Sequence, residues 1–240
     1  MINVRFAKLI IFLTVLTTVT ASCTDEKHSN PVVRENGYAW IPIADTAFLI
    51  PEKTWLKSFG HRKTDGLVDS FFVHATAPDI EPWSEAVNAQ MYPERGPGKR
   101  VDIFVKSYKR ENFDFLARIF PQAPQSRWRG ASPLVEVESD HKDNDLRKFR
   151  DLKNKGTVFY EYIESNKVRY FIYCNENENP PVRQHCHLSF PWTPPLFVDL
   201  SFTRNYLPYS IRMADKITEK LEEFEAAGKA YQDKHRLSVR

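Results

Sequence analysis

Alternation of side chains near the end of the chain is the strongest restriction on how it can fold. Leu196, Val198, Leu200 and Phe202 fall on one side of a short run, with Asp199 and Ser201 on the other. That period of two is the mark of a half-buried strand. Thr157 to Ile163, Val168 to Cys174 and His185 to Phe190 are three more runs rich in aromatic and β-branched residues, so four strands follow one another. Ser165-Asn166 has the composition of a tight hairpin turn. Asn175 to Gln184 is a polar loop with Pro180-Pro181, and Pro191-Trp192-Thr193-Pro194-Pro195 separates the last two strands. From about Pro208 the period becomes helical: Ile211, Ala214, Ile217, Leu221 and Phe224 make one apolar stripe, and the other face is charged. Pro208 suits the first turn of such a helix. These elements predict an α+β fold, an antiparallel meandering sheet with a long C-terminal helix packed on one face.

The first half of the chain reads less sharply. Order is expected from Tyr38 through Ile43, and Ala47 to Pro51 reads as a short strand closed by its proline. Trp55-Leu56 falls in a charged turn region, and Leu67 to Ala75 has the composition of a buried strand. Pro78 and Pro82 flank a loop holding Asp79, Glu81 and Trp83, and the Pro93-to-Gly98 stretch breaks regular structure again. From Arg100 to Tyr108, Val101, Ile103 and Val105 share one face while Asp102, Phe104 and Lys106 share the other. Phe115, Leu116 and Ile119 recur at helical spacing within Glu111 to Ile119. Gln125 to Asp145, with Arg127-Trp128-Arg129 and then an acidic group, reads as a surface excursion. The globular part, 38–240, is long enough for one large domain or for two halves, 38–124 and 150–230, joined by that excursion.

The opening of the chain governs where it goes. Arg5 and Lys8 precede the compact apolar run Leu9 to Leu16, and Thr17 to Ser22 narrows to small residues before Cys23. Basic end, apolar centre and small-residue cleavage site describe a secretory signal peptide over 1–22. The run falls well short of the roughly 20 residues that span a bilayer. Residues 23–37, polar and charged, are expected to form a flexible tether. Val19-Thr20-Ala21-Ser22-Cys23 resembles the lipobox of bacterial lipoproteins, with Thr20 where Leu is usual. The resemblance implies that Cys23 is lipidated and becomes the mature N-terminus. Thr24, in place of the Asp associated with inner-membrane retention, implies anchoring at the periplasmic face of the outer membrane. The several acyl chains of a lipoprotein hold stably where one chain would not. Ordinary cleavage near Ala21 is the rival, and it would leave Cys23 a free thiol.

Export gives the remaining cysteines a meaning. Cys174 and Cys186 stand at strand ends twelve positions apart, an expected disulfide in an oxidising compartment. Closing a loop of that size stabilises by about 3 kcal/mol. Zinc is the rival, since His185 and His187 flank Cys186, but a strand turns both imidazoles to the face opposite the thiol. No metal or other cofactor is expected. With Arg5 and Lys8 in the leader, 34 basic and 31 acidic residues become 32 and 31, about +1. That balance argues against nucleic acid, which calls for a concentrated basic surface.

No nucleophile elbow, His-Glu-x-x-His or Gly-rich phosphate loop occurs. His61, His74 and His141 lie in unrelated contexts, as do Asp65, Asp69 and Asp79, and solvated charges account for them more simply than an active site. The chain is therefore expected not to be an enzyme. Trp83 and Arg127-Trp128-Arg129 are the candidate partner-binding residues, because Trp and Arg carry much of the energy of protein interfaces and loops present them.

Further segments carry a second resemblance. Ala47 to Pro51, Asp69 to Val73 leading to Pro78-Asp79-Ile80-Glu81-Pro82, Ile172 to Cys174, Cys186 to Phe190, and Val198 to Phe202 followed by Arg204 and Leu207 are similar to periplasmic immunity lipoproteins that accompany phospholipase effectors of type VI secretion systems. The resemblance implies a protein that binds a toxic secreted effector, a phospholipase, and neutralises it by occlusion. Its partners would be that toxin and, through the lipid anchor, the membrane. A structural or assembly lipoprotein of the envelope or a secretion apparatus is the alternative. A periplasmic hydrolase or ligand-binding lipoprotein, the third possibility, requires a deep pocket with convergent polar groups.

Overall fold

The structure, a computed structural model, describes residues 32–61, 68–93, 98–108, 134–137, 146–151, 156–165, 167–175 and 184–237. The leader, Cys23, the expected helix at Glu111 to Ile119 and the candidates Arg127, Trp128 and Arg129 lie outside the described residues.

Order begins before Tyr38. Strand β1 (Val33–Glu35) pairs with β2 (Tyr38–Ile43), inside the stretch expected to be a tether. The cause is Asn36-Gly37, whose φ angles of 51° and 80° make the two-residue turn that suits the twist of a hairpin. A third strand, β3 (Thr46–Pro51), completes a small antiparallel sheet in the order β1-β2-β3.

The second sheet has ten strands. They are β4 (Leu56–His61), β5 (Val68–Thr76), β6 (Glu81–Pro82), β7 (Arg100–Ser107), β8 (Leu134–Val137), β9 (Leu146–Asp151), β10 (Thr157–Glu164), β11 (Lys167–Asn175), β12 (His185–Pro191) and β13 (Leu196–Thr203). Their spatial order is β4-β5-β7-β13-β12-β11-β10-β9-β8, with β6 on β5, and every pairing is antiparallel. The four-strand meander expected from the alternation is therefore present as β10 to β13. Part of the expected surface excursion is strand: Leu134–Val137 lies within it and pairs with Leu146–Asp151 just beyond, and the two extend the meander. Strands from 38–124 and from 150–230 meet in this one sheet, at the pairing of β7 with β13.

A short helix, α1 (Glu85–Met91), follows Trp83. After β13 a turn of 3-10 helix (Arg204–Tyr209) leads into α2 (Ser210–His235), which buries Met213, Ala214, Ile217, Leu221 and Phe224. Both α2 and the small sheet cover the same face of the large one. Phe48 of β3 meets Phe71 of β5 at 5.0 Å between rings, and Phe224 of α2 meets Trp55 at 5.4 Å. Tyr170 of β11 donates a hydrogen bond to Asp215 of α2 at 2.7 Å. The fold is thus α+β, antiparallel sheets with a long C-terminal helix packed on one face.

On that covered face Val73, Ile103, Leu200, Leu188, Ile172 and Tyr160 lie in register across six strands, each buried. Cys174 and Cys186 lie directly opposite each other in this layer and form a disulfide. Both are wholly buried, while His185 and His187 emerge on the opposite face. Among the described residues no group of three His, Cys, Asp or Glu side chains is placed to hold a metal ion.

Helix α2 comes closest to the small sheet at Gly228. A Cβ there would press into the Ala47 carbonyl and stand 2.8 Å from Phe48 Cα. The Gly228 carbonyl accepts a buried hydrogen bond from Trp40 Nε1 at 3.1 Å. A Gly228→Ala substitution is expected to destabilise the protein by about 1–3 kcal/mol through overpacking. Urea unfolding monitored by circular dichroism measures this, and an unchanged midpoint would refute the close contact.

Candidate functional site

A spacious recess among the described residues follows from how β12 turns into β13. Pro191 is the last residue of β12, and Trp192 to Pro195, with two further prolines, leave the ladder before β13 begins, so the chain swings out and leaves a groove beside α2. The groove encloses about 500 Å³, with Tyr170, Phe190, Trp192 and Pro194 on one wall and Thr218 and Glu222 of α2 on the other. A smaller recess of about 150 Å³ shares Thr193 and Pro194 and carries the groove on to Asp45, Glu225 and Lys229. Thr218, Glu222, Glu225 and Lys229 recur every three or four residues, so one stripe of α2 faces the groove.

Its charges are unevenly matched. Asp215 accepts from the Tyr170 hydroxyl and lies 3.2 Å from Arg169, whose guanidinium also binds Glu164 at 2.9 Å. Burial, then the Asp215 hydrogen bond, push the Tyr170 hydroxyl well above its usual range, so it stays a donor. Glu225 accepts from Thr46 Oγ1 at 2.8 Å and pairs with Lys229 at 2.7 Å. Glu222 has no hydrogen-bond or ion-pair partner among the described residues. Beside it, Trp192 is half-buried, and its indole N–H meets no acceptor among the described residues.

The opposite face of the large sheet carries a polar row. His187 stacks on Tyr173 at 4.7 Å, and Ser189 hydrogen-bonds Asp199. A serine, a histidine and a carboxylate so close together invite a catalytic reading. The geometry speaks against a Ser–His pair, because the Ser189 hydroxyl is engaged by Asp199, not by an imidazole that would take its proton. Further along the row, His74 lies opposite Asp102, which is held by Lys57 at 3.4 Å and by Arg100.

Trp83 is placed by its backbone and its ring. Its amide donates to the Thr54 carbonyl at 2.8 Å, and its indole donates to Asn88 Oδ1 of α1 at 3.1 Å. The loop before it is tied to α2, since Asp79 binds Arg212 at 2.7 Å and Lys216 at 3.0 Å. The Lys216 hydrogen bond holds the Asp79 carboxyl below its usual range. Trp83 does not line the groove. The groove residues themselves were not singled out from the sequence. The clue was present in Trp192 between prolines and in carboxylates at helical spacing, but it needed the knowledge that α2 crosses β11 and β12.

The fold has a solved counterpart. It is an immunity protein of the Stenotrophomonas maltophilia type IV secretion system, with a TM-score of 0.53 and 15% sequence identity, covering 82% of this chain and 99% of that one. At that identity the likeness is one of fold. No family model and no curated protein matches the sequence.

The polar row makes stability depend on pH. Burial lowers the pKa of His74 and of His187 below the usual 6.5, against the opposing pull of Asp102 and Asp199. The unfolded chain then takes up protons first as pH falls, so stability is lost on passing downward through 6.5. Asp199, which burial raises, acts with the opposite sign: it costs stability as pH rises above 3.8. Urea midpoints are expected to fall between about pH 7.5 and about pH 5.5, and to fall less in the His74→Gln, His187→Gln double variant. Equal declines in the two proteins would contradict the assignment.

Proposed function

We propose that this chain is an exported lipoprotein that binds a toxic secreted effector and neutralises it by occlusion, an immunity protein. The single observation that carries the reading is the architecture shared with the Stenotrophomonas immunity protein, which extends over nearly the whole of that chain. The leader and Cys23 support it from a separate direction, since they would place the domain in the periplasm on the outer membrane, where an incoming toxin is met. A phospholipase is the effector class, on the resemblance of the short strand motifs around Phe71, Cys186 and Leu200. Occlusion asks only for a stable scaffold and roughly 800 Å² of complementary surface on each partner. The protein needs no cofactor for this work.

The test is affinity capture with the mature chain lacking Cys23, offered the products of adjacent genes. The expected outcome is tight capture of one enzyme and loss of its phospholipase activity on vesicles when the chain is added. Capture of none, by a chain shown to be folded, would overturn the reading. In a second arm, Cys23→Ser in the full chain is expected to move the protein from the membrane to the soluble fraction and to weaken protection of the producing cell. An unchanged membrane fraction would count against the lipid anchor.

A further inference from the structure

We infer that the groove between α2 and the Pro191-to-Pro195 turn binds an extended, Arg- or Lys-bearing segment of a protein partner. On the immunity reading, on which the identity of the partner rests, that segment belongs to the effector. Charge carries the inference. Along the two connected recesses stand three carboxylates, Glu222, Glu225 and Asp45, against two cations, Arg169 and Lys229. Both cations are engaged, Arg169 by Asp215 and Glu164, Lys229 by Glu225. Glu222 and Asp45 remain without an ion-pair partner among the described residues, so two carboxylates of the groove stand unopposed on a mature chain whose 32 basic and 31 acidic residues leave it at about +1. A surface opposed in sign to its own protein selects a cationic partner and repels an acidic one.

Shape agrees with charge. From Thr218 to Lys229 the helix wall runs about 16 Å, the span of roughly five extended residues. An extended segment leaves its backbone polar groups in reach of the open side while its side chains alternate between wall and solvent. Trp192 and Tyr170 offer aromatic surface beside Glu222, the arrangement in which a guanidinium gains a carboxylate at its edge and a ring at its face. Arg169 already demonstrates the fit, with its guanidinium 5.0 Å from the Tyr170 ring centre while paired to Asp215. A partner's Arg would repeat that pattern two helical turns on, at Glu222 and Trp192.

The Trp192 indole N–H provides a single-site reporter. Tetra-arginine titrated into the isotope-labelled mature chain is expected to shift its resonance and saturate, while tetraglutamate leaves it in place. Glu222→Lys should weaken tetra-arginine binding at least tenfold, Glu222→Gln less, and Glu85→Lys, remote on α1, not at all. No shift with tetra-arginine, or a shift untouched by Glu222→Lys, would overturn the inference. The Glu222→Lys chain, confirmed as folded, is then expected to lose capture of the effector that the wild type retains; equal capture would also overturn it. A wild type that takes up tetra-arginine yet captures no effector would instead sink the immunity reading and leave the groove's preference for a cationic segment standing.

Discussion

The pairing of β7 with β13 is the constraint on which the rest of the structure depends. Six residue pairs, from Ser107 opposite Leu196 to Asp102 opposite Ser201, join segments almost a hundred positions apart. Without that seam the large sheet separates into β4-β5-β7 on one side and the meander β8 to β13 on the other. With it, Ile103 and Leu200 fall in one apolar row, and a single buried layer runs from Val73 to Tyr160. Bringing such distant strands together has an entropic cost that grows slowly with separation, and burial of that layer offsets it. The disulfide at Cys174 and Cys186 fastens β11 to β12, two strands inward from the seam.

The same continuity places the groove. Because β13 is held on one side by β7 and on the other by β12, the Pro191-to-Pro195 connection must leave the sheet at a fixed place, beside α2. The helix is fixed in turn by Gly228 against β3 and by Asp215 at Tyr170. Two rigid walls therefore meet along a line of carboxylates. Partner recognition by a preformed groove spends little free energy on ordering, which suits a protein whose proposed task is to reach a toxin before the toxin acts.

Much of this fold was legible where side-chain period and turn chemistry agreed. Val101, Ile103 and Val105 announced β7, and the meander was evident from β10 to β13, because strands buried on one face must alternate. The stripe of α2 was visible for the same reason at a different period. Other elements were hidden by weak local signals. Leu56–His61 carries Lys57, Ser58 and Gly60 and becomes an edge strand only because β5 pairs with it. Leu146–Asp151 has four charged side chains and is strand because β10 lies beside it. Asn36-Gly37 was a hairpin signal within a stretch whose polarity read as tether. The groove was the least legible feature, since Tyr170, Trp192 and Glu222 come from three elements and no spacing in the chain relates them.

Native-state hydrogen exchange on the oxidised mature domain tests most directly whether the seam makes one cooperative unit. Amides of β5 and β7 and those of β12 and β13 are expected to share the slowest class, opening together in one global event with a common dependence on denaturant. Exchange of β5 and β7 through a separate, lower-energy opening while β12 and β13 stay protected would contradict it, because the groove would then stand on half a fold rather than on a continuous sheet.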